Sequence, residues 1–272
     1  MRIGYLDCFA GASGDMILGA LIDAGLPLEA LTEELKKLPL SGYQISARPA
    51  TRGVITGTQV TVEVSRPFGQ ATPLSAVLDI IDSSTLPPPA KKRGRDIFQR
   101  LAAAEARVHW VPLEEVRMHQ VGAMDAIVDV MGAVIGLELM GLEALYSSPF
   151  PSGSGIEDTD HGVFPFPAPA TLEILAGAGA PLRPSPTGEG ELLTPTGAAI
   201  ITTLASFESP LLFVERIGYG VGSRNPPKLP NVLPLWIGES SPLGEERELL
   251  LLETNIDDRN PELFGHVMEQ LF

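Results

Sequence analysis

The sequence predicts an α/β protein: a mixed sheet with packed helices, a small inserted β-rich module near residues 43–65, and the start of a further domain at its end. Three observations predict this. Residues 3–25, IGYLDCFAGASGDMILGALIDAG, pass from an apolar strand through a small-residue loop into an amphipathic helix, the local order of an α/β unit. Residues 91–109 and 125–142 repeat apolar side chains at helical spacing. Residues 43–64 alternate instead, as in TQVTVEV, which is the period of a strand.

In chain order, the first helix follows from the spacing of Met16, Leu18, Leu21 and Ile22, with Ser13 as its cap and Asp15 matched to the dipole of its first turn. A second helix is expected over 28–38. Two paired strands follow within 43–64, turning near Gly53 and Gly57, then a polar loop over 66–73 and a helix over 74–81. The run LPPPA at 86–90 punctuates before the long helix of 91–109, apolar at Ile97, Leu101, Ala104 and Val108. After the helix of 125–142, residues 147–169 are rich in Pro and Gly and read as irregular. Helices begin at 170–175 and 197–205, and strands are expected over 211–216, 233–237 and 248–253. A last helix from Pro261 reaches Phe272 with no stop signal, so the second domain, 246–272 after a main domain of 1–245, reads as truncated.

Composition narrows the function. The net charge is -15, which argues against a nucleic-acid partner, since that needs a basic stripe. No apolar run is long enough to span a membrane, and Asp7 and Asp15 interrupt the only stretch resembling a signal peptide. One cysteine excludes an intramolecular disulfide. A cytoplasmic location is the expectation.

Five segments could carry chemistry. Asp7, Cys8, Gly11, Ser13, Gly14 and Asp15 surround the first helix start. Glycines there allow close backbone approach, helix amides attract an anion, and acids hold a divalent cation. A tight strand-to-helix turn explains the same residues, and Cys8 is either a ligand or a small buried apolar residue. In MHQVGAMDAIVDV, Asp125 and Asp129 share a helix face that is otherwise apolar, one loop after His119. Two buried carboxylates repel unless a cation lies between them; pairing with arginine or backbone donors is the alternative. His161, with Asp158 and Asp160, offers ligand atoms on a Pro-braced loop. Thr194, Thr196 and Gly197 open another helix able to hold a phosphate, or merely to be capped. In IGYGVGSRN the glycine pattern is weak, and Arg224 is a cation able to clamp an anion.

Together, YLDCFAGASGDMILGALIDAG, AEARVHWVPLEEVRMHQVGAMDAIVDVMGA, HGVFPFPAPAT, GELLTPTGAAI, IGYGVGSRN and ETNIDDRNPE resemble the LarC family, the nickel insertase of nickel-pincer cofactor synthesis. The resemblance covers most of the chain. It implies insertion of Ni(II) into pyridinium-3,5-bisthiocarboxylic acid mononucleotide, forming two metal–sulfur bonds and one metal–carbon bond. It also implies dependence on CTP with Mg(II) or Mn(II), and a cofactor that serves lactate racemase-type enzymes. Carried onto this chain, it assigns catalysis to Asp7, Asp15, His119 and Asp125. Substrate binding falls to Gly11, Ser13, Gly14, Thr194, Thr196 and Gly197, and nickel to His119, Asp125, Asp129 and His161. The apo nickel-pincer enzyme is an implied partner, and a homo-oligomer is compatible with the resemblance. Three departures stand out. The loop SRPFGQATPL lacks the histidines common in the family. Arg117, Met118, His119 and Gln120 stand where His-x-His-Glu is usual. The family continues past ETNIDDRNPE into a ferredoxin-like module associated with CTP. A non-catalytic nickel-delivery chaperone and a subunit needing a separate CTP-binding domain are the competing readings.

Overall fold

The computed structural model describes residues 1–65, 72–118, 124–159, 162–185, 190–226 and 228–240, with positions 265 and 270. The chain divides into two compact units, Met1–Ser241 and Pro242–Phe272. The expected ferredoxin-like start and the strand at 248–253 lie outside the described residues.

The strands are β1 (Arg2–Leu6), β2 (Tyr43–Arg52), β3 (Ile55–Val64), β4 (Thr72–Pro73), β5 (Arg117–Met118), β6 (Ala144–Ser147), β7 (Phe150–Pro151), β8 (Ile156–Thr159), β9 (Gly162–Pro165), β10 (Leu182–Arg183), β11 (Ala205–Ser206), β12 (Leu212–Val221) and β13 (Val232–Ser240). The helices are α1 (Gly14–Asp23), α2 (Leu28–Leu35), α3 (Leu74–Asp82), α4 (Pro88–His109), α5 (Met124–Leu139), α6 (Pro169–Ala178) and α7 (Pro195–Leu204).

Seven strands form the main sheet, in the order β11-β6-β1-β13-β12-β3-β2. The β11, β6 and β1 strands run parallel. β13 joins β1 and β12 antiparallel, while β3 joins β12 in parallel at Gly220↔Thr58. The hairpin expected near 43–65 forms as β2–β3, and it extends the outer edge of this sheet. Short β6 and β11, which complete the parallel part, carry no periodic signal of their own.

Helix α1 lies directly on β12, β3 and β13, with α5 and α7 against it and α4 behind them. Its contact with the sheet is backbone-close. A Cβ on Gly220 would sit 1.8 Å from the Met16 carbonyl oxygen, and one on Gly218 would sit 2.2 Å from that of Ala20. The IGYGVG run is therefore a helix-on-strand seam inside β12, where glycine removes the side chains that would hold α1 away. The strand accordingly extends to Val221, past the expected end at 216.

A second seam joins α5 to α1. Gly132 and Gly136, four residues apart on one helix face, admit Leu18 and Leu21: a Cβ on either glycine would come within 2.9 Å of a leucine methyl. Leu18, Leu21, Ile127 and Met131 are fully or almost fully buried in the core formed there. The α5 helix ends at Leu139, short of the expected 142, because Gly141 turns the chain with φ +66. The α4 helix begins at Pro88, earlier than expected, since proline is tolerated in a first turn.

Candidate functional site

The two seams determine where the polar groups meet. With α5 laid along α1, Asp129 arrives at the first residue of α1: a Cβ on Gly14 would lie 2.5 Å from Asp129 Oδ2. The same end of α1 touches the start of α7. Ala12 bridges Leu193 in parallel, the Ala12 amide donates to the Leu192 carbonyl at 3.0 Å, and the Thr194 amide donates to the Ala12 carbonyl at 3.1 Å. Two helix N-termini thus open onto one place, adding their dipoles.

That place is a cavity of about 410 Å³. Its walls include Ser13, Gly14, Asp15, Asp125, Asp129, Thr194 and Thr196, together with Gln59 from β3 and Arg224 and Asn231 from the β12–β13 end. Arg224 pairs with Glu191 at 3.2 Å and stands over the Phe166 ring at 6.0 Å. Arg52 holds the backbone of this loop, donating to the carbonyls of Gly222 at 2.6 Å and Arg224 at 3.1 Å.

Several expected roles change. Ser13 occupies the cap position but makes no capping bond; its hydroxyl donates to Asp15, and Asp15 Oδ1 accepts the Met16 amide at 2.9 Å. The carboxylate nearest the α1 amides is therefore Asp15 itself. Thr194 does cap α7, accepting from the Gly197 amide at 3.1 Å. Gly11 and Gly197 make room for this chain: a Cβ on Gly11, whose φ is +93, would strike the Leu192 carbonyl at 1.8 Å, and one on Gly197 the Ala12 carbonyl at 2.5 Å. Asp7 does not line the cavity. Cys8 is fully buried beside the Ser147 hydroxyl at 3.4 Å. Burial pushes its thiol up to about 12, which suits an apolar filler better than a thiolate ligand. His119, Asp160 and His161 lie outside the described residues.

The acids are the electrostatic core. Asp129 Oδ1 is enclosed and has no hydrogen-bond partner among the described residues. Burial raises the Asp129 pKa well above the carboxylate range, and the charges of Asp15 and Asp125 raise it further. Burial also raises Asp15, against the lowering effect of its bonds to Ser13 and Met16. A cation among these acids would relieve the strain.

The family model described as "Nickel insertion protein" matches residues 4–272. The chain belongs to the nickel insertion protein family. A relative from Citrifermentans bemidjiense is 47% identical over 273 residues, covering 100% of this chain and 70% of that protein. One from Syntrophobacter fumaroxidans is 47% identical over 274 residues, covering 100% and 69%. One from Thermomicrobium roseum is 48% identical over 277 residues, covering 100% and 67%. All three are named "Putative nickel insertion protein". No solved structure matches. No helix among the described residues of this chain is long and apolar enough to cross a membrane.

Among the described residues of this family member, no three His, Cys, Asp or Glu side chains stand close enough to hold a metal ion together. Asp15, Asp125 and Asp129 face one cavity without converging on a point. Gln59 and Asn231 escaped the sequence reading. The legible signal for Gln59 was a polar residue between Thr58 and Val60 in an alternating strand, which fits a solvent face equally well.

Proposed function

We propose that this cavity is the insertion site of a nickel insertase acting on pyridinium-3,5-bisthiocarboxylic acid mononucleotide. The observation that carries the reading is the enclosed Oδ1 of Asp129, without a partner among the described residues, beside Asp15 and Asp125 in a cavity onto which two helix N-termini open. The acids supply oxygen ligands to Ni(II) as it arrives. The sulfur atoms of the substrate are softer ligands and bind nickel more strongly than carboxylates do, so a loose oxygen set favours transfer over retention. The phosphate is held by the helix starts at Ser13–Gly14 and Thr194–Gly197 with Arg224. His119 and His161 are further proposed nickel ligands, and CTP with Mg(II) or Mn(II) the proposed activating co-substrate. The proposed partner is the apo nickel-pincer enzyme that receives the product. The proposed location is the cytoplasm.

The test is nickel insertion followed by mass spectrometry of the mononucleotide, with and without CTP, in wild type, Asp129→Asn and Asp125→Asn. Loss of a carboxylate facing the cation is expected to slow insertion about 100-fold or more, equivalent to about 3 kcal/mol. Insertion at the wild-type rate in both variants overturns the site. Nickel binding with no nickel-containing product in the wild type supports nickel delivery instead. Product formed without CTP removes the co-substrate from the reading.

A further inference from the structure

The β2–β3 hairpin supplies one wall of the cavity through residues 59–62. Gln59 is only 7% exposed. Across the hairpin its register partner is Arg48, whose Nη2 donates to Gln59 Oε1 at 3.0 Å. Arginine is a donor only, so the amide atom facing Arg48 must be the oxygen. That contact fixes Oε1 toward Arg48 and leaves Nε2, which makes no hydrogen bond among the described residues, free to donate from a side chain that lines the cavity. An amide on the cavity wall whose oxygen is fixed by a partner is pre-organised to donate from its nitrogen, so a ligand acceptor can meet it with little reordering.

We propose that Gln59 is a specificity-determining donor that hydrogen-bonds an acceptor atom of the anionic ligand in this cavity, and that Arg48 is its positioning residue. This rests on the mononucleotide reading of the site. The acceptor belongs to the ligand's phosphate, carboxylate or thiocarboxylate groups, since the acids lining the cavity already repel ligands whose approaching atoms are anionic and lack a compensating donor. Gln59 and the helix starts supply such donors, whereas the acids are left for the metal.

The test measures binding and turnover of pyridinium-3,5-bisthiocarboxylic acid mononucleotide by full-length protein carrying Gln59→Leu, Gln59→Glu, Arg48→Met or Arg48→Lys, beside Asp129→Asn. Gln59→Leu and Gln59→Glu are expected to raise KM roughly 10–100-fold, the range for losing a hydrogen bond to a charged group, with kcat changed less. Arg48→Met is expected to raise KM by a smaller factor, Arg48→Lys to recover part of it, and the Arg48 effect to vanish in the Gln59→Leu background. Unchanged KM in Gln59→Leu, with insertion lost in Asp129→Asn, overturns the Gln59 role and leaves the site reading intact. If Gln59→Leu fails to fold, Gln59→Glu, which keeps the shape, decides the same question. Failure of the wild type to bind the mononucleotide overturns both.

Discussion

At the scale of single residues, the site turns on one carboxylate. Asp129 is enclosed because Gly14 has no side chain to displace it, and its Oδ1 finds no donor among the described residues. Its pKa is raised in the folded protein, first by burial and then by Asp15 and Asp125. The folded state therefore holds this proton more tightly than the unfolded chain, whose aspartates titrate near ~3.9. The associated stability is present in full below that pH and is lost as pH rises through the raised value. Asp15 acts in the same direction. Without nickel, Asp129→Asn is expected to melt higher than wild type above the raised pKa, and to fall less as pH climbs. A gain of about 1 kcal/mol would appear as roughly 2–4 °C. Thermal melts from acid to mildly alkaline pH check this, and parallel pH profiles would sink it. The spacing of Asp125 and Asp129 was readable as a shared face. The partner that encloses Asp129, the glycine at the start of another helix, was not.

At the scale of elements, glycines decide the approach distances. Gly218 and Gly220 let α1 touch β12, and Gly132 and Gly136 let α5 touch α1. In sequence the first pair looked like a weak ligand loop. The distinction depends on whether a ligand or another backbone fills the space above the glycine, and neither is written in a local pattern. Gly220→Ala is expected to cost about 3 kcal/mol, because the added methyl meets a backbone oxygen that no rotamer change can move. Chemical denaturation measures it. A stable Gly220→Ala variant with an unchanged midpoint would show that α1 can lift off the sheet without penalty. Helix positions were legible to within a turn because periodicity and proline placement are local. The short parallel strands β6 and β11 were not, since runs of four and two residues are too short to show a strand period.

At the scale of the whole molecule, the cavity is assembled from parts far apart in sequence: α1, α5, α7, β3 and the β12–β13 end. A ligand there binds only the folded state, so it stabilises the whole unit. At a hundred times its dissociation constant it is expected to add about 2.7 kcal/mol. Calorimetry with Ni(II) and the mononucleotide, singly and together, reads this as a rise in Tm. No rise with either would remove the cavity as their common site. The net charge of -15 bears on partners through the long-range field, whereas recognition inside the cavity depends on a few oriented groups. The sequence by itself determined the α/β class, the helix starts, the acid pair four residues apart and the family, because these rest on local spacing and on ordered motifs. Only the tertiary structure decided that Asp15 caps its own helix, that Cys8 is sealed away, that Asp129 meets Gly14, and that Gln59 faces inward. Each of those depends on which distant backbone comes close, and close approach is a property of the packed chain rather than of any segment within it.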